Sequence, residues 1–188
     1  TLLPKRKTTT EVTVIVLNNN ALFNGKADHS CGDACVAFTD GHIIYAGPRE
    51  GSPSLDDGAQ VIDGHGHFVM PGMVESHAHL SYTNNGPLEL DKSPVEEVVI
   101  KTIHNARVML GSGFTSAISF GSVHRVDAFL KRGIECGDVL GPRLLAGGRD
   151  IGSTGSNADL HPDYAQLKID GLGMITDGPW EVRKAVRT

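Results

Sequence analysis

A chain of 188 residues in which 39% are apolar and 21% charged has the balance of a globular protein rather than a disordered one. Its 17 basic and 22 acidic residues leave a net charge of −5 with no basic stripe, which argues against nucleic acid or an anionic membrane surface as partner. No apolar run approaches the roughly 18 residues that a membrane-spanning helix needs.

In chain order, Thr1 to Thr10 carries basic residues without the apolar core of a signal peptide. The first seventy residues read as β-rich. Val12 to Asn19 is short and β-branched, and Cys35 to Gly47 holds two such runs across Asp40-Gly41, a strong hairpin signal. Pro48 to Gln60 is a loop, and Val61–Asp63 and His67–Met70 are further extended stretches. Pro71-Gly72 marks a boundary. The three cysteines, Cys31, Cys35 and Cys136, are too sparse for a disulfide framework and fit a reducing, cytoplasmic location. Cys31 and Cys35 have no second pair to complete a metal site, so they read as small apolar residues near a strand start.

Beyond the boundary, strands and helices alternate. Met73 to Leu80 is a strand running into a polar loop. Ser93-Pro94-Val95-Glu96 predicts a helix start with Ser93 as N-cap and Glu96 closing a capping box. Val95, Val98, Val99, Ala106, Met109 and Leu110 then recur at helical spacing up to Gly111. Phe114 to Phe120 is a second strand, and Val123 to Glu135 a helix with Val126, Phe129, Leu130 and Ile134 on one face. Pro142 to Gly147 is a third strand, Gly148 to Gly178 a long loop, and a third helix starts at Pro179-Trp180-Glu181. Repeated strand–helix units predict a parallel α/β barrel with its site at the strand C-termini. A doubly wound sheet lacks support, because no glycine-rich phosphate fingerprint follows a strand.

His77-Ala78-His79 lies at such a strand end. At a period of two, both imidazoles fall on one side, where one metal ion can bridge them. Alone, such a pair is more commonly two ordinary surface or core histidines. The neighbouring elements decide it. The stretch VIDGHGHFVMPGMVESHAHL, residues 61–80, resembles the signature of the amidohydrolase superfamily of metal-dependent hydrolases. There a small β-sandwich lobe leads through Pro-Gly into the first barrel strand, which ends in acid-x-His-x-His. Glu75 stands where that family usually has Asp, and DGHIIYAGP at Asp40 to Pro48 is similar to its hairpin. Gly141 to Asp159 and Asp177 to Arg187 resemble the branch holding Xaa-Pro dipeptidase-like, metal-dependent carboxypeptidase and ochratoxin-hydrolysing enzymes. Two departures stand out. Asn157 falls where that branch has a His, and Ile118-Ser119-Phe120-Gly121, with neither charge, where it has Arg-Asp-Leu-Gly.

The resemblance implies an α/β fold: the N-terminal part of a (β/α)8 TIM barrel preceded by a small β-sandwich lobe. Residues 1–70 would be the lobe and 71–188 the first three β/α units of an incomplete barrel, the chain stopping within the third helix. It implies a metal-dependent hydrolase of C–N bonds, with His77 and His79 holding a divalent metal, zinc, as one or two ions. Glu75 would orient those histidines, and Asp150, Asn157 and His161 would line the substrate pocket. The family's bridging Lys and catalytic Asp come later than Thr188, and neither Lys168 nor Lys184 replaces them. Expected partners are a small-molecule substrate, the remaining barrel segment from the same protein or a second chain, and further copies in a homo-oligomer. The alternatives are a diverged member that binds or transforms a small molecule without hydrolysis, and an inert structural subunit. His65 and His67 lie before Pro71-Gly72, away from any barrel mouth, and His29, His42, His104 and His124 read as surface residues.

Overall fold

The computed structural model describes residues 13–54, 58–159 and 172–188, in two compact units divided between Pro71 and Gly72. The first holds β1 (Ile15–Leu22), β2 (Cys31–Thr39), β3 (His42–Pro48), β4 (Gln60–Asp63) and β5 (Phe68–Val69). They form one mixed sheet in the order β3-β2-β1-β4, with β5 also on β1. Asp40 and Gly41 both take left-handed φ, 48° and 73°, the turn whose twist suits a two-residue hairpin. Alternation along β2 buries Ala34 and Val36 beside Leu22, and Cys35 and Ala37 beside Val16. Between β4 and β5, the His65 amide donates to Asp63 Oδ1 at 2.8 Å, and His67 Nδ1 donates to the Gly64 carbonyl at 2.7 Å. That second histidine pair is spent on its own turn.

The second unit is built on β6 (Met73–Ala78), followed by helices α1 (Pro87–Lys92) and α2 (Val95–Gly111). Then come β7 (Phe114–Ser119), α3 (Val126–Cys136) and β8 (Arg143–Ala146). The three strands form a parallel sheet in sequence order, β6-β7-β8. Ala78, Leu80, Ala117 and Leu144 pack with Ala106 of α2 and Leu130 of α3 into one buried cluster. A second cluster joins Leu90, Val98, Val123, Val126 and Leu172. Gly72 is required where β6 begins, because a methyl there would fall 2.1 Å from the Thr115 hydroxyl. Among the described residues no helix is long and apolar enough to cross a membrane.

Four expectations change. The N-cap of α2 is Pro94 with no side-chain cap bond, and the Ser93 hydroxyl turns back to the Glu89 carbonyl at 2.9 Å. What draws Ser93 away is α1, which the polar composition after His79 did not signal. The Val123–Glu135 helix is interrupted: Val123–Arg125 is a 3-10 turn in which His124 and Arg125 have φ of 54° and 60°, and α3 starts only at Val126. Phe129, expected on the apolar face, is 58% exposed, while Val126 and Leu130 are buried. Within the long loop, β9 (Asp150–Gly152) pairs in parallel with β10 (Gly173–Ile175) before α4 (Pro179–Arg187). Strands of three residues are too short to show a period of two.

Candidate metal centre

His77 is the penultimate residue of β6 and His79 the first beyond it. The strand end is anchored at several points. Phe120 N donates to Ala78 O at 3.0 Å, and Tyr82 N to His79 O at 3.0 Å. Asn105 of α2 donates its amide to Leu80 O and Tyr82 O, at 2.8 and 3.0 Å. The Val123 amide donates to the Ser81 hydroxyl at 2.9 Å. The two imidazoles therefore project from a fixed backbone.

His79 Nδ1 lies 3.2 Å from the Gly121 carbonyl, which can only accept, so the ring carries its proton on Nδ1 and presents a lone pair at Nε2. That Nε2 is 3.3 Å from His77 Nε2. Two nitrogens each ~2.0–2.1 Å from one tetrahedral ion are ~3.3–3.4 Å apart, so the spacing fits a shared zinc-like ion. Aromatic walls hold both rings. His77 lies flat on Phe120, centroids 4.7 Å apart and planes 3° apart, and His79 on Tyr82 at 4.3 Å and 12°. Among the described residues no third His, Cys, Asp or Glu joins them.

The histidines open onto a cavity of about 630 Å³ lined also by Tyr82, Phe120, Asp150 and Asn157. Tyr82 donates its hydroxyl to Asp150 Oδ2 at 2.9 Å. Burial first, and then the Asp150 charge, push the phenol pKa well above its usual value, so it stays a donor. Glu75 reaches the His77 backbone amide at 3.0 Å rather than either imidazole, so it braces the strand on which the histidine sits. Asp150 and Asn157 both line the cavity, Asn157 from an exposed position in the loop after β9. His161 lies outside the described residues. Tyr82 escaped the sequence reading, although an aromatic residue three positions after an HxH was the signal available.

The loop bearing Asn157 is latched by Asp177. Thr154 donates its hydroxyl to Asp177 Oδ2 at 2.5 Å and its amide to Oδ1 at 2.8 Å, and Asp177 N donates to Glu181 Oε2 at 2.7 Å. The Thr154 hydroxyl, then its amide, hold the Asp177 pKa below its ordinary value. A depressed carboxylate stabilises the fold above its unfolded pKa, ~3.9, and loses that contribution as pH falls through the lower folded value. Protection of the Ser153–Asp159 amides, taken as exchange relative to the intrinsic rate at each pH, should therefore fall below about pH 4. In Asp177→Asn protection should already be lower at neutral pH and should lose that acid step.

The model of the amidohydrolase family matches residues 68–183. A 5-methylthioadenosine/S-adenosylhomocysteine deaminase of Symbiobacterium thermophilum is 54% identical over 43 residues, 23% of this chain and 10% of its own length. A prolidase solved with N-methylphosphonate-L-proline superposes with a TM-score of 0.80 at 27% identity, over 93% of this chain and 43% of the prolidase. A Xaa-Pro dipeptidase solved with methionine in its active site gives 0.75 at 26% identity, over 93% of this chain and 44% of the dipeptidase. The chain thus spans under half the length of these relatives.

Proposed function

We propose, from the premise that the chain belongs to the amidohydrolase family, that it contributes the first metal-holding pair of a hydrolase cleaving C–N bonds of the amide or peptide type. The family's members typically hold divalent metal, and zinc is our reading for this one. The observation that carries the proposal is the 3.3 Å separation of His77 and His79 Nε2, with the His79 tautomer set by Gly121. When bound, a divalent ion supplies Lewis acidity and brings the ionisation of water towards neutral pH. The chain's own residues do the rest of the work assigned here. His77 and His79 would hold the ion, Phe120 and Tyr82 keep both rings from rotating away, and Asn157 offers amide hydrogen-bonding groups at the cavity wall.

The bridging ligand and catalytic acid of a complete barrel would come from the same protein or a second chain. The solved relatives, more than twice as long, support this. The uncharged end of β7, Ile118-Ser119-Phe120-Gly121, also favours a second reading, a member that binds without hydrolysing, because it carries neither charge of the family's Arg-Asp-Leu-Gly. One assay separates them. The whole protein, loaded with zinc, is expected to hydrolyse N-acyl amino acids or Xaa-Pro dipeptides, with activity lost on chelation and restored by metal. Bound metal without turnover would favour the second reading, and no bound metal would sink both.

A further inference from the structure

The sequence holds two Asn-Gly pairs, Asn24-Gly25 and Asn85-Gly86, both exposed. Their side chains are held differently. Asn24 Oδ1 accepts the amides of Lys26 and Ala27 at 2.9 and 3.0 Å, a local cap that fixes the carboxamide. Asn85 is tied through its backbone, the amide donating to Thr83 Oγ1 at 3.2 Å, and among the described residues nothing bonds to its carboxamide. Gly86 is anchored through its carbonyl, which accepts the Glu89 and Leu90 amides at 3.0 and 3.1 Å, while its own N–H meets no acceptor among the described residues. A methyl on Gly86 would touch nothing within 4 Å, so the space that ring closure needs is open.

Asparagine is among the thermolabile residues. We propose that Asn85 is a modification site, converting spontaneously to a carboxylate. The Gly86 backbone nitrogen bonds to Asn85 Cγ and gives up its proton, the Cγ–Nδ2 bond breaks, and that nitrogen leaves as ammonia. Water then opens the cyclic imide. Cleavage at Cγ leaves an aspartate, and cleavage at the backbone carbonyl carbon leaves an isoaspartate whose chain runs through Cγ. Nothing is oxidised or reduced: an amide and water give a carboxylate and ammonium. Asn24, tied by two bonds that must break first, is the internal comparison. Asn85 lines the cavity beside His77 and His79, whose wall holds one acid, Asp150, among the described residues. The conversion places a second negative charge there, so the cavity's charge changes with the age of the chain.

For the test, the whole protein is incubated at mildly alkaline pH in water enriched in heavy oxygen. It is then digested in ordinary water, so that only changes made before digestion carry the label. Peptide mass spectrometry should show label at Asn85 in both aspartyl and isoaspartyl forms. It should enter ~10–100-fold faster than at Asn24, the factor that two intact hydrogen bonds impose. In urea, where no fold holds either side chain, the two rates should converge. Gly86→Ala is compatible with the open space and with the φ of −64° at that residue, and it should slow labelling at Asn85 while leaving Asn24 unchanged. Should that variant fail to fold, the comparison of the two sites in the folded wild type and in urea carries the test alone. Equal labelling of the two sites in the folded protein, or a ratio that persists in urea, would overturn the proposal. So would undiminished labelling at Asn85 in Gly86→Ala, or an unlabelled Asn85 in the folded protein by the time both sites are labelled in urea.

Discussion

Replacing His77 with alanine is expected to weaken zinc binding more than ~100-fold while leaving the protein folded, because losing a direct ligand costs more than the ~10–100-fold typical of groups that only orient one. The geometry allows the metal effect to be separated from a folding effect. His77 is exposed, and its recorded side-chain partners are Phe120 and His79, so its removal deletes little of the core. His79 differs. It is half-buried, donates to Gly121 and stacks on Tyr82, so His79→Ala should lose the metal and also thermal stability. At ~2–4 °C per kcal/mol for a protein of this size, loss of a hydrogen bond and a ring stack would lower Tm by several degrees. The pair of variants is read by competition with a chromophoric chelator and by thermal melting. Unchanged zinc affinity in His77→Ala would sink the assignment, since no folding argument could excuse it. Activity in the zinc-loaded protein should fall with occupancy in both.

The second large effect is on stability, at Asp127. This carboxylate is fully buried in the first turn of α3 and has three backbone amides pointed at it: Ala128 on Oδ1 at 2.9 Å, Gly147 and Gly148 on Oδ2 at 3.1 and 3.0 Å. It is the tie between the start of a helix and the end of β8. Bonds to a charged acceptor contribute ~1.5–3 kcal/mol each, so Asp127→Ala, which orphans all three donors, should cost about 3–5 kcal/mol once non-additivity is allowed for. Asp127→Asn keeps one oxygen and should fall between. Urea unfolding of the second unit is the measurement, and a loss under about 1 kcal/mol would show that water replaces the carboxylate freely. Because Gly147 and Gly148 lead directly into Asp150, the same variant should loosen the cavity wall.

The elements that could be read from the sequence were those with enough length to show a period. The seventeen residues of α2 repeat their apolar side chains over several turns, and its observed limits, Val95–Gly111, are those the pattern indicates. The Asp40-Gly41 hairpin was equally plain, because two residues suited to left-handed φ separate two β-branched runs. The Ser93 cap was misread because capping is a choice among local partners, and Glu89 of an unanticipated helix offered a better one. The break before α3 left no mark either. Arg125 is not a residue that advertises left-handed φ, and the two left-handed residues are flanked by Val123 and Val126, both buried in one cluster. At the site, the HxH and its neighbouring elements singled out the two histidines whose Nε2 atoms lie 3.3 Å apart, and the loop length pointed to Asp150 and Asn157, which line the cavity beside them. What spacing could not supply was the aromatic support. Phe120 and Tyr82 reach the imidazoles only because β6 and β7 are neighbours and the turn after His79 is pinned by Asn105.

The order β6-β7-β8 repeats the order in which those strands occur along the chain. For a polypeptide leaving the ribosome at ~5–20 residues per second, each new strand therefore meets a template that was made seconds earlier and is already backed by its helix. No strand has to wait for a distant partner, so contact formation stays local and fast for a parallel sheet. The growing edge is always the newest strand. Sheet growth and synthesis thus run in the same direction, and the histidine pair, carried by the first strand laid down, is positioned before the cavity around it is complete.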